Sequence, residues 1–155
     1  MPFYIYILRM PIHFFSEEII FKIDSPNKFK NWIKLTAEDE GFKIKALNYI
    51  FCSDQYLLSI NKEFLNHYDY TDIITFDNSE KKGSIEGDIY ISIERVKQNA
   101  ETFGIAFNVE LSRIIIHGLL HLTGYTDKLP EEKTLMTSKE NSYLLKINIV
   151  PRGTI

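Results

Sequence analysis

An α/β or α+β domain with a small mixed sheet is the fold class that this sequence predicts. The chain has 155 residues, about the length of one domain, and 45% of them are apolar, which is enough for a substantial core. Segments with the two-residue periodicity of strands are interleaved with segments of helical periodicity. The sequence has no internal repeat, low-complexity tract or linker, which favours a single domain.

The first residues have two interpretations that the sequence leaves open. Residues 1–9 are either an extension that precedes the domain or a genuine first strand, because Met10 offers a second plausible start and would begin a domain over residues 10–155. This segment lacks the basic start and small-residue cleavage site of a signal peptide. No apolar run reaches the ~18 residues that cross a membrane. We therefore expect a cytoplasmic protein with no membrane partner.

The first helix is predicted to begin at Ser25 and Pro26, an N-cap residue followed by proline at the first helical position, and to end at Gly41. Its apolar face consists of Phe29, Trp32 and Ile33. A strand is predicted over residues 43–51. Ser53 then caps a second helix, whose apolar residues at helical spacing are Leu57, Ile60 and Phe64.

Two further strands and three further helices are predicted after residue 71. Residues 72–76 are β-branched and aromatic, and residues 86–93 alternate isoleucine with polar side chains. Ser92 is the expected cap of the third helix, Asn108 of the fourth, and Pro130 begins the fifth. The inward residues expected in the third helix are Val96, Ala100 and Phe103, before Gly104; the fourth runs to about Thr123, before Gly124.

Charge and cysteine content exclude some functions. The chain has 18 basic and 21 acidic residues, a net charge of −3, which excludes a nucleic-acid binder held by bulk charge. Residues 22–45 differ from the whole, with six lysines against four acidic residues; this is either a phosphate-binding patch or an ordinary solvated face. Cys52 is the only cysteine and lies in an apolar run, so we predict a buried, inert thiol and exclude multi-cysteine zinc sites.

The most informative residues are His117 and His121 in the predicted fourth helix. They are four residues apart, so both imidazoles project from one face of the helix, as two ligands of one metal ion do. Two core histidines bonded to backbone or carboxylates are the alternative. Gly124 lets the chain turn back, and Asp127 then offers a third ligand, although it is also a plausible turn residue. Two histidines and a carboxylate form a catalytic zinc set that activates water.

Gly118 lies between the two histidines, where zinc proteases with the H-E-x-x-H motif have their general-base glutamate. Glycine cannot take up a proton, which argues against that mechanism. It costs about 1 kcal/mol relative to alanine inside a helix. Two explanations stay open: open space beside the metal for the substrate, or close packing of the helix.

The segment from His117 to Tyr125 resembles the H-G-x-L-H-L-x-G-Y motif of the YbeY family. The resemblance continues upstream in three ordered segments. These are residues 60–64 (family L-N-x-x-Y), 71–76 (family T-D-V-L-S-F) and 87–92 (family G-D-I-x-I-S). Together the similar segments span about two-thirds of the chain, over roughly residues 47–145.

The resemblance implies an α+β fold with a mixed, mainly four-stranded sheet, about five helices, and a metal-bearing helix lining a cleft. It implies a metal-dependent endoribonuclease that prefers single strands and acts in maturation of the 3′ end of small-subunit ribosomal RNA and in ribosome quality control. The implied cofactor is one zinc ion, held here by His117, His121 and Asp127. The implied partners are ribosomal RNA and the small ribosomal subunit, with no DNA. Asp72 and Asp88 become candidates for supporting roles.

This sequence departs from the family pattern at two positions. The third ligand is usually histidine but is Asp127 here, and a carboxylate makes manganese or magnesium more competitive with zinc. Leu65 replaces an arginine, so a cation expected near the scissile phosphate is missing. Lys62, His67 and Arg113 are the candidates to replace it. Two alternative functions stay open: a metalloprotease-like hydrolase, and a non-enzymatic ribosome-associated module with a structural metal.

Overall fold

The computed structural model describes residues 11–149, so both interpretations of residues 1–9 concern a segment outside the described residues. Strands and helices are interleaved along the described chain, as the sequence predicts. In chain order they are β1 (Ile12–Glu17), α1 (Pro26–Asp39), β2 (Lys43–Cys52), α2 (Asp54–Leu65), β3 (Ile73–Asp77), β4 (Ser84–Ser92), α3 (Ile93–Phe103), α4 (Phe107–Leu122) and α5 (Pro130–Leu145).

The four strands form one mixed sheet in the order β1-β2-β4-β3. β1 runs parallel to β2, and β2 runs parallel to β4. β3 is antiparallel to β4 and occupies the other edge. The α+β class, the four-stranded mixed sheet and the five helices are therefore confirmed.

β1 was not predicted from the sequence. Ile12 is buried and pairs with Leu47 of β2, whereas Phe15, on the opposite face, is 50% exposed. Apolar residues on both faces of this edge strand obscure the two-residue periodicity that identifies a strand. Its pairing with β2 is a long-range contact that local sequence does not reveal.

The sheet separates two layers of apolar packing. Leu47, Tyr49 and Phe51 of β2 belong to the main core, which α1, α4 and α5 also build. The Tyr49 hydroxyl donates to the Ile115 carbonyl at 2.9 Å, tying α4 to the centre of the sheet.

A smaller cluster under α2 includes Cys52, which is fully buried. The prediction of a buried thiol is therefore confirmed. Burial, assisted by nearby acidic charges, raises the pKa of the Cys52 thiol to about 12, which favours an inert thiol.

Most predicted helix caps are confirmed. The Ser53 hydroxyl accepts from the Tyr56 amide and the Ser92 hydroxyl from the Arg95 amide, each at 3.1 Å. Ser25 stands at the N-cap of α1 but makes no side-chain capping bond. The prediction for Asn108 was wrong, because α4 begins at Phe107, two residues earlier than predicted, with Ala106 at its N-cap.

Phe103, which was predicted to face inward, and Phe64, which shares the helical spacing of buried Leu57 and Ile60, are both exposed. Phe64 of α2 is 60% exposed and Phe103 of α3 is 40% exposed. Both lie in the last turn of their helices. Helical spacing identifies which face of a helix is apolar. It does not show whether the neighbouring element extends far enough to cover the last turn of that face.

α4 is the central helix, and most of its residues are buried. Within residues 11–149 no single helix has both the length and the apolar content to cross a membrane. α3 and α4 together have that length and apolar content, but the chain bends by 118° between them. α4 lies against both β3 and β4. The two histidines are in its C-terminal half, so the core of the protein positions them.

Candidate metal centre

The chain reverses direction immediately after the two histidines of α4. Thr123 caps the helix and Gly124 follows with a φ of +107°, a left-handed conformation that suits glycine. The Tyr125 amide then donates back to the Leu120 carbonyl at 3.1 Å. This turn returns the next residues, including Asp127, towards the histidine face.

Three ligand atoms converge at this point. The Nε2 atoms of His117 and His121 are 2.9 Å apart, and Oδ2 of Asp127 lies 3.4 Å from each of them. Two ligand atoms on a tetrahedral zinc ion are separated by about 3.3 Å, because each bond is about 2.0–2.1 Å long. His117, His121 and Asp127 therefore form a group that can bind a metal ion.

The hydrogen-bond partners of the two Nδ1 atoms indicate which nitrogen of each imidazole carries a proton. Nδ1 of His117 lies 2.6 Å from Oε2 of Glu140, and Nδ1 of His121 lies 2.9 Å from the Tyr125 carbonyl oxygen. A carbonyl and a carboxylate accept hydrogen bonds, so both Nδ1 atoms are assigned as donors. Both Nε2 lone pairs then point at each other and at Asp127. A cation between them removes this repulsion, which argues against two ordinary core histidines.

The loop that carries Asp127 is anchored to two helices. Glu132 of α5 accepts from the Thr126 hydroxyl and, at 3.2 Å, from the Leu129 amide. Tyr125 donates to the carboxylate of Glu40, the C-cap of α1. Burial alone would raise the pKa of Glu40, but hydrogen bonds from two tyrosines and Lys139 outweigh it and lower the pKa. The ligand loop is therefore held by charged partners on both sides.

Gly118 packs against the sheet. A Cβ atom at this position would lie 3.0 Å from the side chains of both Ile73 and Ile89, closer than ordinary contact. Of the two explanations offered by the sequence, close packing is the one observed. Gly118, which stands where a zinc protease has its general-base glutamate, is therefore buried against β3 and β4.

The three candidate cations lie in different settings. Lys62 of α2 and His67, which follows that helix, are exposed. Arg113 bonds Glu110 through Nε at 3.1 Å and Glu140 through Nη1 at 3.3 Å. Burial would lower the pKa of Arg113, and these carboxylates more than offset it, so its pKa is raised. The charge of Arg113 is therefore compensated within the protein by two carboxylates.

Asp72 and Asp88 do not join the metal-binding group. Asp72 accepts from the Asn99 side chain at 3.1 Å, and Asp88 accepts from the Asn48 side chain at 3.0 Å.

Sequence reasoning missed Glu140, which lies 23 residues beyond His117. Its helical position gives no local signal for this contact, which requires α5 to pack on α4.

The chain matches the model of the family described as Endoribonuclease YbeY over residues 12–148. It is 52% identical to Endoribonuclease YbeY of Cytophaga hutchinsonii, covering 86% of this chain and 93% of that protein. It is 45% identical to Endoribonuclease YbeY of Amoebophilus asiaticus, covering 90% and 95%. The solution structure of TM1509 from Thermotoga maritima has a similar fold, with a TM-score of 0.62, 24% identity and coverage of 93% and 99%. The chain therefore belongs to the YbeY endoribonuclease family.

Proposed function

We propose that this protein is a metal-dependent endoribonuclease whose centre consists of His117, His121 and Asp127. The observation that carries the proposal is the convergence of two imidazole lone pairs and a carboxylate on one point. The activity in the names of its relatives, Endoribonuclease YbeY, supports the reaction class. We further propose that single-stranded RNA is preferred.

Zinc is the proposed ion, one per chain, because two histidines and one carboxylate are an established zinc donor set. The carboxylate of Asp127 also makes manganese and magnesium plausible competitors. When bound, such an ion activates water or polarises a phosphate oxygen.

Asp127 is the most exposed of the three ligands, at 40%, compared with 14% for His117 and 23% for His121. The substrate therefore approaches from the side of Asp127.

The proposed substrate is ribosomal RNA of the small subunit, near its 3′ end, in the cytoplasm. This follows from the motif resemblance, and the small ribosomal subunit is the corresponding partner. Exposed Lys62 is the proposed substrate-side cation in place of the arginine that Leu65 replaces. DNA is not an expected substrate.

A cleavage assay with purified protein tests the reaction class. Zinc-loaded wild type is expected to cut single-stranded RNA internally, while leaving single-stranded DNA and unfolded peptides intact. His121→Ala and chelator-treated wild type are expected to lose the activity. Peptide cleavage would support the metalloprotease alternative, which the close packing of Gly118 disfavours. A folded, metal-loaded wild type without RNA cleavage would contradict the proposal.

The biological substrate is tested in cells that lack the protein. We expect small-subunit ribosomal RNA with an unprocessed 3′ end to accumulate and to disappear on expression of wild type. The His121→Ala variant is expected not to restore processing. Restoration by His121→Ala would contradict the enzymatic role and support a ribosome-associated module.

A further inference from the structure

Glu140 of α5 is a buried carboxylate behind the metal centre. Its side chain is 4% exposed, and Oε2 lies 2.6 Å from Nδ1 of His117. Its other oxygen, Oε1, accepts from Nη1 of Arg113 at 3.3 Å. Both carboxylate oxygens are therefore engaged, one by a ring that carries a ligand atom and one by a guanidinium group.

Arg113 is held in turn by a second buried carboxylate. Glu110 is fully buried and bonds the Arg113 guanidinium through both of its oxygens. The cluster thus places two carboxylates against one guanidinium in a buried setting. Removing charges from water in this way is costly unless each is paired. A cation bound on the far side of His117 would offset the excess negative charge.

We propose that Glu140 is a positioning residue, which keeps the proton of His117 on Nδ1 and thereby aims the Nε2 lone pair at the metal. Arg113 holds Glu140 in the orientation that this requires. A histidine ligand commonly donates its other ring N–H to a carboxylate, and losing that partner costs about 10- to 100-fold in metal affinity. The inference rests on the proposed metal centre but not on RNA cleavage.

The alternative is that the cluster only stabilises the packing of α5 on α4. Glu140→Gln separates the two roles because glutamine has nearly the same shape. Arg113 requires an acceptor, so the glutamine oxygen would face Arg113 and its NH2 group would face Nδ1 of His117. His117 would then carry its proton on Nε2, inside the metal centre. A change of tautomer is an effect that packing alone does not produce.

The experiment has two measurements on metal-free protein. Long-range ¹H–¹⁵N NMR reports the tautomer of His117, and zinc affinity is measured by competition with a chromogenic chelator. We expect an Nδ1–H tautomer in wild type, an Nε2–H tautomer in Glu140→Gln, and an affinity loss of about 10- to 100-fold. The matched control is Glu110→Gln, which removes one negative charge from the same cluster while Glu140 keeps its contacts with Arg113 and His117. This variant is expected to keep the wild-type tautomer and affinity.

The outcomes distinguish this inference from the proposed function. Wild-type zinc affinity in folded Glu140→Gln overturns the positioning role, as does an equal loss in Glu110→Gln. If Glu140→Gln does not fold, an Nε2–H tautomer of His117 in wild type overturns the role by itself, and an Nδ1–H tautomer supports it. Failure of wild type to bind zinc, manganese or magnesium would instead contradict the proposed metal centre.

Discussion

The Tyr125 hydroxyl donates a hydrogen bond to the carboxylate of Glu40, which lies 85 residues earlier in the chain. Glu40 caps α1, and Tyr125 precedes Asp127 in the ligand loop by two residues. Lys139 of α5 completes the contact with an ion pair of 3.1 Å to Glu40. The position of the third ligand therefore depends on elements from both ends of the domain.

Glu40→Gln is expected to destabilise the protein in a pH-dependent way. The pKa of Glu40 is lowered from its ordinary 4.5, so the stability that it contributes is present above pH 4.5 and is lost as the pH falls through the folded value. Hydrogen bonds to a charged group contribute about 1.5–3 kcal/mol, which is the loss expected at neutral pH. Urea unfolding of both proteins between neutral and acidic pH measures it.

The control for this prediction is Glu38→Gln, because Glu38 is an exposed neighbour on α1. Its unfolding free energy is expected to match that of wild type at every pH. An unchanged gap between wild type and Glu40→Gln from neutral pH to pH values well below 4.5 would contradict the assignment.

Asp127→Ala is expected to lower zinc content and abolish RNA cleavage, because only two histidine ligands remain. Asp127→His is expected to retain full zinc occupancy, since a third imidazole is also a zinc ligand. Elemental analysis of the purified variants, beside a cleavage assay, checks both. Full occupancy in Asp127→Ala would remove Asp127 from the ligand set.

Alanine at Gly87 is expected to cost more stability than alanine at Gly118. At Gly87 the added Cβ would lie 2.6 Å from the Phe76 carbonyl oxygen, which belongs to the paired backbone of β3. At Gly118 the nearest atoms belong to the side chains of Ile73 and Ile89, and alanine regains about 1 kcal/mol of helix propensity. We expect a loss of about 1–3 kcal/mol for Gly87→Ala and a smaller one for Gly118→Ala, measured by urea unfolding. The reverse order would show that α4 cannot adjust on the sheet.

The lysines between residues 22 and 45 form either a phosphate-binding patch or an ordinary solvated face, and the salt dependence of RNA binding distinguishes the two. Lys28 and Lys34 lie exposed on α1. If each contacts a phosphate, Lys28→Gln and Lys34→Gln each reduce the slope of log affinity against log salt by about 0.7 for single-stranded RNA. Fluorescence anisotropy with catalytically inactive His121→Ala protein measures this. The control is Lys133→Gln on α5, and identical slopes in all variants would identify the patch as a solvated face.

Local features of the chain were sufficient to predict most elements and the group of His117, His121 and Asp127, which can bind a metal ion. Ser53 and Ser92 cap helices as expected, because capping depends on residues within one turn. His117 and His121 share a face because their spacing is nearly one helical turn. Gly124 indicated the reversal that returns Asp127. Each of these predictions concerns residues close in sequence, for which backbone geometry determines the outcome.

Only the tertiary structure showed the contacts that support those ligands. The β1 strand, the burial of Gly118 against Ile89, and the approach of Glu140 to His117 all join segments far apart in the chain. The hydrogen bond between Arg113 and the buried carboxylate of Glu140 likewise joins two helices and has no local signal in the sequence. Such contacts depend on how helices dock on the sheet, and docking is decided by the packing of whole elements rather than by any local pattern of residues.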